Sequence, residues 1–415
     1  MRDMKDSEIE WIHNIPASWA VMPNKYLMHK IKRIRPVYGG EDILSLTMKG
    51  VIVRDLDAGG KMPTSFNGYQ ELYPGNLLMC LFDIDVTPRC IGLIKQFGLS
   101  SPAYSQFVLN DGVDAAYYCY YYTMLDNDKT LLHLAKNLRH SLTEEQLGAV
   151  PTVVPPIEEQ KRIAAYLDAK CAETDSLTAD IQAQIDTLEQ YKRSVITEVV
   201  TKGLNPDAEM KDSGIQWIGK MPSYWDCIRG KYILKYIQKP VREDDGVITC
   251  FRDGEVTLRS NRREDGFTMA DKEIGYQGID VGDLVVHGMD GFAGAIGISD
   301  SRGKASPVLN VLNTKQNKRY IMYFLRSMAY SDVFLALATG IRVRSCDLRW
   351  NKLAELFYPV PPIEEQDAIV QHIDDVLHKV NEVIAQKKDQ LSVLEAYKKS
   401  LIFEYVTGKK EVPLA

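Results

Sequence analysis

An internal repeat is the feature that most constrains the fold of this chain. Three segments of the first half return in the second: VPPIEEQ at 154–160 and 360–366, KDSEIEWIHNIPASW at 5–19 as KDSGIQWIGKMPSYW at 211–225, and LEQYKRSVITEVVT at 188–201 as LEAYKKSLIFEYVT at 394–407. One offset, 360 minus 154 or 206 residues, relates all three pairs. Chance does not supply three matches in one register. The chain is therefore a tandem duplication, and each copy has a globular part followed by a helix.

Each predicted helix begins after a proline pair and is long. Pro155-Pro156 can begin a helix but cannot continue one, and the next glycine or proline after them is Gly203. Seam residues recur every seven positions in both copies, as in a coiled coil. They are Leu167, Thr174, Ile181, Leu188 and Val195 in the first copy, and Ile373, Val380, Lys387, Leu394 and Leu401 in the second. Each helix should run for about 45 residues, or roughly 68 Å.

The two predicted helices most simply pack on each other, and the spacing permits parallel or antiparallel pairing. A second row of seam positions is expected three residues after the first, including Leu177, Gln184 and Tyr191 in copy one and Val383, Gln390 and Tyr397 in copy two. Polar residues in this seam, such as Gln184 and Lys387, have two readings. They fix the register of the pair, or they lie partly exposed where the seam frays.

The globular parts are predicted to be rich in short strands. Runs of Val, Ile, Leu, Tyr and Phe alternate with Gly, Pro, Asn and Asp, and the run at 75–80 matches that at 282–287. Helical stretches are expected to close the two parts at about 129–139 and 318–337. The ends of the copies are alike and their middles differ. Equivalent frames that carry different loops indicate one task performed on two different targets.

Composition narrows the class of protein. The chain has 415 residues, of which 45% are hydrophobic, enough for two or three folded domains. No run of about eighteen apolar residues predicts a membrane span, and the N-terminus does not resemble a signal peptide. Seven cysteines without a CxxC pair favour structural thiols in a reducing cytosol. The net charge is −6, but residues 206–360 carry +2, and a local basic face is enough to bind phosphate.

The chain contains no fitting motif for catalysis. The two Val-Pro-Pro-Ile segments lack the side-chain oxygen of an amino-methyltransferase motif, and the chain has no nucleotide-binding glycine loop or HExxH. Glu159-Gln160-Lys161 has the letters of a nuclease site, but the second copy reads Glu365-Gln366-Asp367. Acidic residues in the first turn favour the helix dipole, which explains both copies. We therefore expect a non-catalytic chain that binds no metal or cofactor.

Basic clusters in the globular parts are the candidate DNA contacts. Lys30, Lys32, Arg33 and Arg35 alternate with apolar residues, which predicts a strand with one positive face and one face in the core. Arginine forks onto guanine or phosphate, and lysine mostly contacts phosphate. The alternative for each residue is a solvated, ion-paired position, and for His287 a satisfied loop histidine. The candidates in the second copy are Arg259, Arg262, Arg263, His287, Lys304, Arg342 and Arg344.

The paired VPPIEEQ helices, the KDSxIxWIxxxPxxW entries and the bridge at 201–219 resemble the specificity subunit of type I restriction-modification systems. In that family, each variable globular part is a target-recognition domain for one half of a split DNA site. The repeated helices form an antiparallel coiled coil that spaces the domains and docks the partners. Two methyltransferase subunits hold S-adenosylmethionine, and restriction subunits use ATP.

The resemblance implies an α/β (α+β) chain with two β-rich target-recognition domains, each followed by a long helix. The expected segments are domain one at 1–154, helix one at 155–205, domain two at 206–360 and helix two at 361–410. The implied function is to read a bipartite, asymmetric site in double-stranded DNA. The implied location is the cytoplasm. Two alternatives remain, a fused restriction enzyme and methyltransferase with an unrecognised site, and a coiled-coil scaffold without DNA function.

Overall fold

A computed structural model describes residues 2–58, 63–135, 140–262, 274–336 and 348–413. The chain divides into two compact units, and the division crosses the long helices rather than the linker between the copies. The first unit contains Met1–Ile181 and Asp389–Ala415, and the second contains Gln182–Lys388. Each unit therefore holds one globular part and a segment of both long helices.

The first unit is built on a four-stranded antiparallel sheet with the order β4-β11-β8-β9. Short two-stranded pairs surround it: β1-β2, β12-β3, β5-β6 and β10-β7. Its strands are β1 Met4–Asp6, β2 Asn14–Pro16, β3 Ala20–Pro23, β4 Met28–Ile31, β5 Leu44–Thr47, β6 Gly50–Val53, β7 Gln70–Leu72, β8 Leu77–Met79, β9 Ile91–Leu93, β10 Gly98–Ser100, β11 Ser105–Leu109 and β12 Pro151–Val154.

The helices of the first copy are α1 Ala115–Asn127, α2 Glu144–Ala149 and α3 Ile157–Lys202. Its 3-10 turns are Asn24–Tyr26 and Thr130–Leu134. Helix α1 packs against β9, and Asp114 caps its N-terminus by accepting a hydrogen bond from the Tyr117 amide. Within the described residues, the helical stretch predicted at about 129–139 is a short 3-10 turn, Thr130–Leu134. The longer helix lies at 115–127, where tyrosine and other weak helix formers make the helical pattern hard to recognise in the sequence. Residues 136–139 are outside the described part of the chain.

The second unit repeats the first. Its sheet has the order β16-β23-β20-β21, strand for strand the topology of β4-β11-β8-β9. Helix α5, capped by Asn317, packs on β21 as α1 packs on β9. The elements are β13 Met210–Asp212, β14 Lys220–Pro222, β15 Asp226–Arg229, α4 Gly230–Ile233, β16 Leu234–Tyr236, β17 Ile248–Cys250, β18 Val256–Leu258, β19 Gln277–Ile279, β20 Leu284–His287, β21 Ile296–Ile298, β22 Gly303–Ala305, β23 Leu309–Thr314, α5 Lys318–Tyr330, α6 Val333–Ala336, α7 Trp350–Leu353, β24 Phe357–Val360 and α8 Ile363–Val406.

The long helices α3 and α8 pair antiparallel in each unit. In the first unit, the rings of Tyr166 and Tyr405 contact each other, with 4.6 Å between their centroids, and Lys398 Nζ lies 2.6 Å from Asp175 Oδ1. Residue numbers thus increase along α3 in the direction in which they decrease along α8, as in an antiparallel pair. In the second unit the Lys387 ammonium donates to the Gln184 side-chain oxygen. The expected fold class, β-rich domains each followed by a long helix, is confirmed.

Of the two predicted seam rows, the first is buried or partly buried throughout. Of that row Leu167, Thr174, Ile373, Val380 and Leu401 are buried, and Ile181, Leu188, Val195, Lys387 and Leu394 are partly buried.

The second predicted row was wrong. Leu177 and Tyr191 are about half exposed, and Gln184 is exposed, whereas Ile185 and Ile384 are buried. Each of the two buried isoleucines lies one residue after a predicted seam position. Ile185 is buried in place of Gln184, because burying an isoleucine is favourable and burying a glutamine amide is costly.

Candidate nucleic-acid interface

The frame that carries the candidate contacts is held by the repeated VPPIEEQ motif. The Trp19 indole donates to Glu159 Oε2 at 3.0 Å, and the Trp225 indole donates to Glu365 Oε2 at 3.0 Å. Both tryptophans are completely buried. Each glutamate of a helix start therefore fixes the globular part of its own copy, in addition to the favourable effect of an acidic first turn.

The next residue of the motif is a buried glutamine in both copies. Gln160 Oε1 accepts from the amide of Asp114, the cap of α1, and Gln366 Oε1 accepts from the amide of Asn317, the cap of α5. The side-chain nitrogen of each glutamine donates to the carbonyl of a motif proline, at 2.8 Å in both copies. These bonds satisfy polar groups that burial would otherwise leave unpaired.

A tyrosine of each globular part holds the end of the helix from the other copy. The Tyr117 hydroxyl donates to the Val406 carbonyl at 2.7 Å in the first unit, and the Tyr320 hydroxyl donates to the Val200 carbonyl at 3.0 Å in the second. The last carbonyls of a helix have no partner within the helix, so these bonds cap it. Burial raises the pKa of both phenols well above its usual value, which keeps them protonated donors.

The side chains of the first two basic candidates of domain one make only one polar contact each with the described part of the chain. Lys30 lies in β4, with its ammonium 3.7 Å from Glu144, and Lys32 donates to the Pro102 carbonyl at 3.1 Å. Both side chains face solvent. The expectation that the intervening apolar residues join the core was wrong for Ile34, which is 46% exposed. Strand β4 ends at Ile31, but the backbone continues beside β7, where Ile34 pairs antiparallel with Gln70 and the Arg35 amide donates to the Tyr69 carbonyl at 2.7 Å.

The two arginines that follow are braced by neighbours. Arg33 lies over the Tyr73 ring and donates to its hydroxyl at 3.2 Å. Arg35 pairs with Glu41 at 2.6 Å and with Glu71 at 3.1 Å. Hydrogen bonds to Glu71, first from Tyr73 and then from Arg35, lower the pKa of that carboxyl. Arg35 is therefore an ion-paired residue, as the alternative reading allows.

In the second unit, three candidates from two separate stretches of sequence line one cleft. Arg259, Arg262 and His287 line a cavity of about 530 Å³ below the β17-β18 hairpin. The other residues that line it are Ile248, Thr249, Cys250, Phe251, Arg252, Asp253, Asp290, Ser306 and Leu309. The cleft is thus lined by three arginines, Arg252, Arg259 and Arg262. Arg252 was missed, because a single arginine before Asp253-Gly254 reads as an ordinary hairpin turn.

The arginines of this cleft have different surroundings. Arg262 pairs with Asp253 at 2.7 Å and Glu255 at 2.9 Å, and its guanidinium lies 4.1 Å from the Phe251 ring centroid. The hydrogen bond to Asp253 raises the pKa of Arg262. Its side chain is therefore engaged within the hairpin. Arg259 begins a 3-10 turn and its Nε lies 3.4 Å from Thr249 Oγ1.

His287 ends β20 and closes a turn. Its Nδ1 accepts from the amides of Met289, at 3.2 Å, and Asp290, at 2.9 Å, which places the ring proton on Nε2. Burial lowers the pKa of His287 although Asp290 opposes the shift, so the ring is neutral at neutral pH. The turn explains the ring position, and Nε2 lies 4.0 Å from Asp290 Oδ2.

The remaining candidates do not join this cleft. Lys304 lies in β22, where its amide donates to the Gly246 carbonyl, and it is not among the lining residues. Arg263, Arg342 and Arg344 lie outside the described residues. Within the described ranges no group of three or more His, Cys, Asp or Glu is placed to hold a metal, and no helix is long and apolar enough to cross a membrane.

Comparisons with known proteins agree with the resemblance. A type I restriction enzyme MjaVIII specificity subunit of Methanocaldococcus jannaschii is 25% identical over 276 residues, 62% of this chain and 62% of that protein. A chain of the same organism that bears the name MjaX specificity subunit is 24% identical over 284 residues, 66% of this chain and 62% of the relative. The match thus spans somewhat less than two thirds of each relative. No protein-family model matches.

A solved structure supports the fold. A chain from a study of complex assembly and conformational transition in a type I R-M system matches 95% of this chain and 99% of its own length. The TM-score is 0.67 and the sequence identity is 14%, so this likeness concerns the fold. The chain is thus a relative of type I restriction enzyme specificity subunits, and the resemblance drawn from the repeated motifs is confirmed.

Proposed function

We propose that this chain is the DNA-reading specificity subunit of a type I restriction-modification complex. Each globular part reads one half of a bipartite, asymmetric target in double-stranded DNA, and the spacer between the halves is not read. The duplicated frame supports this most directly: two equivalent sheets and helix caps carry different loops. One frame with two loop sets fits one task on two sequences.

The chemistry belongs to partner subunits in this proposal. Two methyltransferase subunits, which hold S-adenosylmethionine, and restriction subunits, which use ATP, join this chain in the cytoplasm. The chain itself contributes base contacts and docking surfaces and binds no cofactor. The names of its relatives, specificity subunits of restriction enzymes, support a role in choosing the target.

A domain exchange tests the modular reading. Residues 1–154 are replaced by the corresponding part of a related chain, and the methylated sites of a host that expresses the complex are sequenced. We expect one half of the target to change and the other half to stay. Changes in both halves, or in neither, contradict the proposal.

Two further assays separate the alternatives. The purified chain alone is incubated with DNA and labelled S-adenosylmethionine, and transfer of label in the absence of partners would show a fused enzyme. Mobility-shift titrations with and without the methyltransferase subunits test the scaffold alternative, which predicts no sequence-dependent binding in either case.

A further inference from the structure

Arg252 is an exposed arginine at the tip of the β17-β18 hairpin, in a turn where the two copies differ. Its side chain is 65% exposed. The corresponding β5-β6 hairpin has a shorter turn, with Met48 and Lys49 between the strands, and Met48 is 61% exposed. If loops that differ on equivalent frames determine the DNA sequence that each domain reads, then the tip of this hairpin is a place where the two domains can read different bases.

The tip is held rigidly. Arg262 ties Asp253 and Glu255, the residues on both sides of Gly254, to one guanidinium. Arg326 of α5 donates to the Asp253 carbonyl at 2.7 Å and fills the space where a side chain at position 254 would lie. Gly254 has φ +93°, a conformation that a side chain would strain. A rigid support lowers the entropy lost when the residue that it carries binds a ligand.

The guanidinium of Arg252 is also oriented. Its Nη2 donates to Asp290 Oδ1 at 2.9 Å, and both residues line the cleft. Asp290 is fixed in turn, because its amide donates to His287 Nδ1 and its carbonyl accepts from Ala293. A neighbouring carboxylate does not suit a phosphate contact, since the two anions repel each other. It does suit a base edge, which is neutral.

Guanine is the base whose major-groove edge matches this arrangement. Its N7 and O6 accept two parallel N–H bonds from an arginine fork, and the cytosine paired with it offers an amine that a carboxylate accepts. We propose that Arg252 reads a guanine in the half-site bound by the second domain, and that Asp290 orients the Arg252 guanidinium. This inference rests on the proposed function and adds the base and the residue.

The experiment uses the full chain co-purified with its methyltransferase subunits. A library of DNA duplexes with randomised positions is selected on the wild-type complex and on four variants, and bound sequences are counted. Arg252→Ala removes the fork, Arg252→Lys keeps the charge without the fork, and Asp290→Asn removes the orienting charge. Arg229→Ala is the matched control. Arg229 lies on the frame strand β15, its side chain is 45% exposed, and like Arg252 it is paired with one carboxylate, here that of Glu355.

For Arg252→Ala and Arg252→Lys we expect the preference for one guanine, in one half-site, to fall by roughly 5- to 150-fold, the range for a lost bidentate contact. Asp290→Asn should lower the same preference less, and Arg229→Ala should leave every position unchanged. Circular dichroism melting curves check that the variants fold, which is expected for exposed side chains.

Three results overturn the inference. A base profile of Arg252→Ala identical to wild type removes Arg252 as a reader. An affinity that falls equally for all sequences identifies a phosphate contact, and a lost preference for a base other than guanine refutes the assignment. All three leave the proposed function in place. If the wild-type complex selects no two-part sequence at all, the proposed function itself fails.

Discussion

The two globular parts share a frame and differ at their tips. Trp19 and Trp225 make the same bond to the glutamate of the helix start, and in each part the following glutamine accepts a hydrogen bond from the amide of a helix N-cap residue. The turn between β17 and β18 contains Arg252, whose side chain is 65% exposed, whereas the shorter turn between β5 and β6 contains Met48, which is 61% exposed. Burial and hydrogen bonds thus constrain the frame, whereas exposed turns can change without loss of the fold.

The largest expected loss of stability tests whether the two frames depend equally on the bond between tryptophan and glutamate. Trp19→Ala and Trp225→Ala each remove a completely buried indole that donates to a helix-start glutamate. Each should lower the free energy of unfolding of its own unit by about 3–5 kcal/mol. Hydrogen exchange read by mass spectrometry resolves the two units. A large loss for one tryptophan and none for the other would break the comparison.

The next effect concerns the buried glutamines. Gln160→Leu and Gln366→Leu keep the size of the side chain but leave the amide of Asp114 or Asn317 without its acceptor. We expect a loss of about 1–3 kcal/mol in each unit, measured in urea titrations followed by hydrogen exchange. Glu158→Gln, in the same helix turn but exposed, is the control and should change little.

The sequence predicted these frames better than their contacts. The proline pairs placed the helix starts correctly, at Ile157 and Ile363, because Pro constrains the chain locally. The bond between Trp19 and Glu159 was missed, although both lie in repeated motifs and their joint repetition was a usable signal. Arg252 had no such signal. Its orientation depends on Asp290, 38 residues away, through a fold that local patterns do not specify.

A smaller effect should appear in the second unit as the pH falls. Arg302 pairs with Asp245 and Asp280 at 2.7 Å, and Lys239 pairs with Asp280 at 2.7 Å. Hydrogen bonds from Lys239 and Arg302 lower the pKa of Asp280 to about 2. A lowered pKa gives stability that is present above the usual value of 3.8 and is lost as the pH falls toward 2.

Hydrogen exchange at pH 5 and pH 2.5 measures this loss in the second unit. Asp280→Asn removes the titrating group, so the variant should be less stable at pH 5 and should lose less on acidification. An unchanged pH dependence in Asp280→Asn would show that other carboxylates dominate.

The smallest effect lies in the helix pair, at a seam position that is apolar in the first copy and charged in the second. Lys387 stands 206 residues after Ile181, and its ammonium donates to Gln184 in the second unit. The Gln184 side chain is exposed, so water can replace this bond at little cost. Lys387→Ile, which copies the first repeat, should therefore raise the free energy of unfolding slightly, by less than about 1 kcal/mol.

The same variant decides between the two roles of the polar seam. If Lys387 only fills a partly exposed position, then Lys387→Ile keeps one helix register and one unfolding transition. If the lysine fixes the register, a second arrangement becomes populated, because an apolar seam accepts more than one alignment. Cysteine pairs placed at 184 and 387 in an otherwise cysteine-free chain, compared with pairs one helical turn out of register, measure the alignments by the yield of each disulfide.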